Sequence, residues 1–174
     1  MTDITNLSTV NVAISNYIAV VTMNNPPVNA QNRQFHDDLT LAFDVLSDRN
    51  DVRSIVLTGA GKCFSAGADI KGRASQESDL GDHWVHSRRV RECFYSIMEC
   101  RKPVIAAING AALGAGLAVA ASADILIASE SASVGLPEIN VGLLVGGRHA
   151  MRLFSHSKTR RLMLTGQRLS GAEL

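Results

Sequence analysis

The 174-residue sequence predicts an α/β fold with a mostly parallel sheet flanked by helices. Short runs of apolar, β-branched residues alternate along the chain with longer segments whose apolar residues recur at helical spacing. Strands that alternate with helices are usually joined by helical crossovers, which place the strands parallel. The composition agrees, because 46% hydrophobic and 19% charged residues are typical of a globular domain.

The N-terminal part predicts a hairpin followed by a helix. Residues 10–15 and 17–23 are β-branched apolar runs separated by the turn-former Asn16, which indicates an antiparallel pair. The following Asn-Pro-Pro segment at residues 25–27 must leave the sheet, because proline cannot donate a hydrogen bond to a neighbouring strand. Residues 32–48 then carry apolar residues at helical spacing, which predicts a surface helix packed on a sheet.

The rest of the chain predicts further alternation of strands and helices. Strands are expected at residues 53–58, 103–108 and 125–128, and helices at residues 77–101 and 117–123. Glycine-punctuated connections are expected at residues 59–69 and 110–116, with no fixed-period repeat in the sequence. Near the end, Ser170 and Glu173 match a capping box, although the chain stops at Leu174. Either the box is spurious or it begins a helix that is not included.

Charge and cysteine content point away from several functional classes. The chain carries 17 basic and 16 acidic side chains, and the two signs are interspersed, which does not predict a nucleic-acid groove or a polybasic membrane surface. The three cysteines lack C-x-x-C spacing, which argues against a disulfide framework and a zinc knuckle. The N-terminus lacks the pattern of a secretory signal. The cysteine pattern fits a reducing, cytoplasmic compartment. The most apolar stretch, residues 104–128, is interrupted by polar residues, so we expect it to form buried α/β core.

Three loops that follow buried strands carry the candidate chemistry, because open α/β sheets bind ligands there. Residues 59–70 and 109–116 are rich in glycine and alanine, which let backbone N–H groups approach a ligand closely. The second of these loops leads into a helix, whose first N–H groups attract negative charge. In the third loop, Glu138 lies among apolar residues that would raise its pKa and suit it to carry a proton. A connecting loop, tight packing and a solvated glutamate are the respective alternatives.

Four segments, in order, resemble motifs of the crotonase (enoyl-CoA hydratase/isomerase) family. Residues 25–30 resemble its N-P-x-x-N-A segment, residues 64–70 its F-x-A-G-A-D-[IL] loop, residues 109–116 its N-G-x-x-x-G-x-G helix start, and residues 137–138 its P-E loop. The resemblance implies a spiral of ββα repeats of the ClpP/crotonase type. It also implies that residues 1–174 form the core domain without the family's C-terminal helical trimerisation region.

The family also implies a ligand and site residues. An acyl-CoA thioester would be the substrate, with no separate cofactor and no metal, and the protein would form a homotrimer or a dimer of trimers. The thioester oxygen would accept hydrogen bonds from the backbone amides of Ala68 and Ala115, which would stabilise an enolate. Glu138 would be the acid/base. Coenzyme A would contact Val28, Ala66, Ala68 and Ile70.

One position departs from the typical hydratase pattern. Such hydratases use two glutamates around one water, and Ala118 stands where the first of them is expected. A single glutamate could move a double bond from the 3 to the 2 position, as in the family's isomerases, or serve another family reaction. A protein that holds coenzyme A without turnover is the alternative from another class. Val145, Gly146 and Gly147 follow the third loop where the family often has a proline and glycines, so the local shape there is expected to differ.

Two other interpretations fit less well. Residues 114–116 could open a dinucleotide-binding helix, but Val119 stands where the third glycine of that fingerprint belongs. His83 and His86 are three residues apart, but two histidines without a third ligand rarely form a metal site.

Overall fold

The computed structural model describes residues 4, 6–70, 72 and 80–174, and its framework is two β-sheets. The larger sheet has the strand order β1-β2-β3-β5-β7, and the smaller one the order β4-β6-β8-β9. The larger sheet consists of β1 (Val10–Ser15), β2 (Ile18–Met23), β3 (Ser54–Gly59), β5 (Val104–Ile108) and β7 (Ile125–Ala128). The smaller sheet consists of β4 (Cys63–Ser65), β6 (Ala111–Leu113), β8 (Ser133–Gly135) and β9 (Arg168–Ser170). Only the pairs β1–β2 and β8–β9 are antiparallel among the described strands, so the predicted mostly parallel α/β fold is confirmed.

The described residues form five α-helices and two 3-10 helices, which connect or cover the strands. The α-helices are α1 (Arg33–Asp48), α2 (Leu80–Met98), α3 (Ala115–Ala120), α4 (Gly147–Ala150) and α5 (His156–Thr165). The 3-10 helices are Pro137–Val141 and Gly171–Glu173. The predicted start of the second long helix, at residues 77–79, lies outside the described residues. In the part of the chain that the structure describes, no helix is long and apolar enough to cross a membrane.

A strand pair repeats three times along the chain. Each of β3, β5 and β7 in the larger sheet is followed by a short strand of the smaller sheet, respectively β4, β6 and β8. The sequence-based prediction of plain connections at residues 59–69 and 110–116 is therefore wrong, because they contain β4 and β6. These strands have three residues each and form through pairing with distant segments, so no local periodicity could indicate them.

Both predicted elements near the N-terminus are confirmed. Asn16 and Tyr17 connect β1 to β2 with φ values of 50° and 63°, as a two-residue type I′ hairpin turn requires. Helix α1 begins after Asn32, whose side chain accepts a hydrogen bond from the backbone N–H of Phe35 at 2.8 Å. The helix buries its apolar side against α2 and against β1 and β2 of the larger sheet. It also buries Asp38, whose carboxylate accepts two 2.8 Å hydrogen bonds from Thr9.

The capping box near the end of the chain is formed. The backbone N–H and the hydroxyl of Ser170 each lie 2.8 Å from a carboxylate oxygen of Glu173, and the box begins the 3-10 helix Gly171–Glu173. The interpretation of this pattern as spurious is therefore wrong.

Candidate active site

The amides of Ala68 and Ala115 lie on two backbone segments that are in direct contact. Ala68 follows β4, and Ala115 is the first residue of α3. The residue before Ala68 is Gly67, at which a Cβ atom would be 2.6 Å from the Leu113 carbonyl oxygen and 3.2 Å from the Ala115 nitrogen. Such a Cβ does not fit, so glycine is required for the approach, as is the Gly67 φ of +94°. The packing brings Gly67, the residue before Ala68, against the start of α3, where Ala115 lies.

The direction of the Ala68 N–H is set by the carbonyl of the same peptide unit. The Gly67 carbonyl oxygen accepts a 2.8 Å hydrogen bond from the backbone N–H of Gln31. In a trans peptide the N–H points opposite to the C=O, so the Ala68 N–H points away from Gln31. Ala68 is exposed, and no acceptor among the described residues contacts its N–H. This amide is available to a ligand.

The Ala115 N–H is directed in the same manner. The Gly114 carbonyl oxygen accepts a 3.1 Å hydrogen bond from the Ala118 N–H, inside the first turn of α3. The N–H of the same peptide unit therefore points out of the start of the helix. In the described ranges it, too, has no acceptor.

The carboxylate of Glu138 lies against the same turn. Glu138 is in the 3-10 helix Pro137–Val141, and a Cβ built on Gly114 would be only 2.4 Å from its Oε1 atom. Gly114 has a φ of +56° and a ψ of −120°, a conformation that favours glycine. The Oε2 atom is buried without a hydrogen-bond partner among the described residues. Burial raises the pKa of the Glu138 carboxyl, because the charged form loses solvation.

Position 118 supplies no second carboxylate. Ala118 is buried in α3, at 4% exposure, and its carbonyl oxygen accepts a 2.8 Å hydrogen bond from the hydroxyl of Ser122. The methyl group of Ala118 can neither donate nor accept a proton.

The four residues assigned to coenzyme A are all exposed. Val28 and Ile70 are 40% and 46% exposed, and Ala66 and Ala68 are exposed as well. The Ala66 N–H donates to the Val28 carbonyl oxygen at 3.0 Å, so the segment 25–30 lies directly beside the loop after β4.

Sequence reasoning missed a buried polar network behind the loop. The Asn29 side-chain amide donates to the Cys63 carbonyl oxygen at 2.8 Å, and the Ser65 hydroxyl donates to the Asn29 carbonyl oxygen at 2.8 Å. Gln31 donates from its side chain to the Ser65 hydroxyl at 3.2 Å. Asn29 and Ser65 fall inside motif segments, which is a signal of importance, but nothing in the sequence indicated that they bond to each other.

The remaining candidate features belong to other elements than those of the two amides. His83 and His86 are on α2, and the described residues form no group of three or more side chains that could hold a metal ion. Beyond Glu138 the chain turns at Gly146, with φ +84°, into α4. There His149 packs edge-on against Phe94 at a ring-centroid distance of 4.7 Å, and its burial lowers its pKa.

The repeated strand pairs, with two backbone amides that have no acceptor among the described residues and a half-buried carboxylate beside one of them, define an α/β protein of the crotonase fold. The enoyl-CoA hydratase/isomerase family model matches residues 13–174, and the chain belongs to this family. The chain is similar to the structure of Pseudomonas aeruginosa DspI, with 34% identity and a TM-score of 0.86 over 95% of this chain and 68% of that one. It is also similar to an enoyl-CoA hydratase/carnithine racemase structure from Magnetospirillum magneticum, with 25% identity and a TM-score of 0.90 over 97% and 65%.

Curated relatives agree on the family but differ in the reaction that they are named for. A probable enoyl-CoA hydratase of Bacillus subtilis is 37% identical over 96% of this chain, which spans 66% of that protein. A Mycobacterium tuberculosis protein is 36% identical over 90% of this chain, which spans 63% of it. That protein is named (7aS)-7a-methyl-1,5-dioxo-2,3,5,6,7,7a-hexahydro-1H-indene-carboxyl-CoA hydrolase. Because the chain spans less than two thirds of both relatives, its own reaction has to be argued from its site.

Proposed function

We propose that this chain binds an acyl-CoA thioester and transfers a proton next to its carbonyl group through an enolate. The observation that carries the proposal is the contact at Gly114. The Glu138 carboxylate lies against this residue, and the next residue in the chain presents the free Ala115 N–H. An acid/base group and a hydrogen-bond donor therefore adjoin one point, with the Ala68 N–H on the facing segment.

The two amides suit the oxygen of a thioester. When a proton leaves the carbon next to the carbonyl, negative charge develops on that oxygen, and donors already in place stabilise it without reorganising. One such donor contributes about 3 to 4 kcal/mol to lowering a barrier. The raised pKa of Glu138 suits the other half of the reaction, because a base with a pKa nearer to neutrality also returns the proton readily.

A single carboxylate favours isomerisation over hydration. Adding water to a double bond requires a base for the water and an acid for the α-carbon, and position 118 supplies neither. Moving a double bond from the 3 to the 2 position requires only that Glu138 remove a proton from C2 and return it at C4. The C2–H electron pair forms the new double bond, and the former C3–C4 double bond takes up the proton.

Val28, Ala66 and Ile70 would contact the coenzyme A portion, because all three are exposed, Ala66 and Ile70 are each two residues from Ala68, and Val28 is hydrogen-bonded to Ala66. The absence of a carboxylate at position 118 also favours a second candidate, a protein that binds coenzyme A thioesters without turnover. The two candidates make the same prediction for binding and opposite predictions for chemistry.

The test combines turnover and binding on matched variants. The wild-type chain, Glu138→Gln and the exposed-site control Glu130→Gln are mixed with a 3-enoyl-CoA and with crotonyl-CoA, and conjugation is followed by absorbance. We expect isomerisation by the wild type and the control, and none by Glu138→Gln, with unchanged coenzyme A affinity by calorimetry in all three. The wild-type rate should rise with pH through the raised pKa of Glu138, because the base must be ionised. Turnover by Glu138→Gln at the wild-type rate would refute the assignment, and binding without any turnover would favour the second candidate.

A further inference from the structure

The hydroxyl of Ser65 is the centre of the buried network behind the Ala68 amide. Ser65 is fully buried, at 0% exposure, and its hydroxyl donates to the Asn29 carbonyl oxygen at 2.8 Å. The Ser65 hydroxyl oxygen accepts from the Gln31 side-chain amide at 3.2 Å and from the Gly67 backbone N–H at 3.3 Å. A serine hydroxyl has one donor and two acceptor positions, so its full capacity is used here.

Gln31 holds the other side of the same turn. Its backbone N–H donates to the Gly67 carbonyl oxygen at 2.8 Å, and its own carbonyl oxygen accepts from the Asp69 N–H at 3.1 Å. Its side chain is buried, at 2% exposure. The Oε1 atom has no hydrogen-bond partner in the described ranges, so the hydrogen bonding of this side-chain amide depends on Ser65.

These hydrogen bonds hold the backbone of Gly67, the residue of the loop with the most conformational freedom. Gly67 precedes Ala68, and glycine occupies more of backbone conformational space than any other residue. Rotation about the Gly67 backbone would turn the Ala68 N–H away from a ligand. Hydrogen bonds to the N–H and the carbonyl of Gly67 prevent this rotation on both sides.

Ser65 also contacts the element that carries the second amide. A Cβ built on Gly116, in α3, would be 2.2 Å from the Ser65 carbonyl oxygen and 3.0 Å from the Ser65 Cβ atom. Ser65 is therefore packed between the loop of Ala68 and the helix of Ala115. A displacement of Ser65 would change the separation of the two amides.

We propose that Ser65 and Gln31 are positioning residues that fix the direction of the Ala68 N–H. This inference rests on the proposed function, in which that N–H binds the oxygen of an enolate. Neither side chain reaches the ligand, since both are buried behind the loop. Their loss should weaken the binding of an enolate and slow turnover, while the affinity for a thioester that forms no enolate is kept.

The test compares two ligands with the same coenzyme A portion. Acetoacetyl-CoA has an acidic α-carbon and can bind as an enolate with its own absorbance band, whereas butyryl-CoA cannot. We expect the wild-type chain to bind acetoacetyl-CoA with an enolate band. In Ser65→Ala and Gln31→Leu we expect the preference for acetoacetyl-CoA over butyryl-CoA, and the turnover number, to fall about tenfold or more with butyryl-CoA affinity kept. The matched control is Ser122→Ala, which removes another buried serine hydroxyl with one 2.8 Å hydrogen bond, to Ala118.

The possible results distinguish a failure of the positioning role from a failure of the proposed function. An unchanged ligand preference in both Ser65→Ala and Gln31→Leu would overturn the positioning role while leaving the proposed function intact. Wild-type protein without an enolate band would instead overturn the proposed function and the inference with it. If Ser65→Ala does not fold, as judged by circular dichroism, Gln31→Leu decides alone, because its backbone hydrogen bonds to the loop remain.

Discussion

Replacing Gly114 by alanine tests the geometry of the proposed site directly. The new Cβ would lie 2.4 Å from the Glu138 Oε1 atom, more than half an ångström inside the closest normal approach. The carboxylate would have to move by about 1 Å, and a misplacement of this size at a reacting group can cost about 100-fold in rate. We therefore expect the turnover of Gly114→Ala to fall by about two orders of magnitude.

The expected loss of stability has two parts. The φ of +56° and ψ of −120° at Gly114 are unfavourable for alanine, at a cost of about 1 to 3 kcal/mol. Moving the Glu138 side chain from its rotamer adds about 1 kcal/mol. Gly61→Ala is a control that measures the backbone cost without a clash. Gly61 has a φ of +71°, and nothing lies within 4 Å of a Cβ built there. Alanine at Gly61 should cost only about 1 to 2 kcal/mol, from its backbone.

The assay is a double-mutant cycle of urea unfolding free energies with Gly114→Ala and Glu138→Ala. Removing the carboxylate relieves the clash but not the backbone strain, so Gly114→Ala should cost about 1 kcal/mol less in the Glu138→Ala background. Equal costs in the two backgrounds would refute the contact between Gly114 and Glu138. The proposed function would then have no support from this contact.

Two further predictions concern position 118 and acid stability. Ala118→Glu adds a second carboxylate on α3, and we expect it to increase crotonyl-CoA hydration at least about tenfold, measured by absorbance; no increase would place this position away from the substrate. Burial, followed by the nearby charge of His86, lowers the pKa of His36 to about 4 from 6.5. Between these values the unfolded chain binds a proton that the folded chain does not, so the unfolding free energy should fall by about 3 kcal/mol as the pH drops from 6.5 through 4. His36→Phe should remove this part of the pH dependence, and an unfolding free energy with the same pH dependence in both proteins would contradict the reasoning.

The sequence predicted the elements whose pattern is local. The hairpin of β1 and β2, helix α1, and strands β3, β5 and β7 have enough residues for a period to be recognised, and all were found within about two residues. Strands β4 and β6 have three residues each and contain mostly serine, alanine and cysteine between single large residues. They exist because the parallel order β4-β6-β8 brings distant segments together. The strand order cannot be predicted from the local sequence of either strand.

The candidate site divides in the same way. The pKa of Glu138 is raised by burial, in the direction that its apolar neighbours in the sequence predict, because burial follows from local hydrophobicity. The direction of a backbone N–H, in contrast, depends on what the carbonyl of the same peptide unit binds. For Ala68 that partner is Gln31, 37 residues earlier in the chain, joined through an isolated parallel bridge.

A backbone donor also leaves no side-chain signature at its own position. Any residue except proline retains an N–H at position 68, so other substitutions of Ala68 probe the surface beside the ligand and not the donor. The residues that decide the donor's direction are those that hold the preceding peptide, which are Gly67, through its φ of +94°, and the buried pair Ser65 and Gln31. If the enolate chemistry is correct, substitutions at these buried positions should impair turnover more than substitutions at the exposed residue whose amide contacts the ligand.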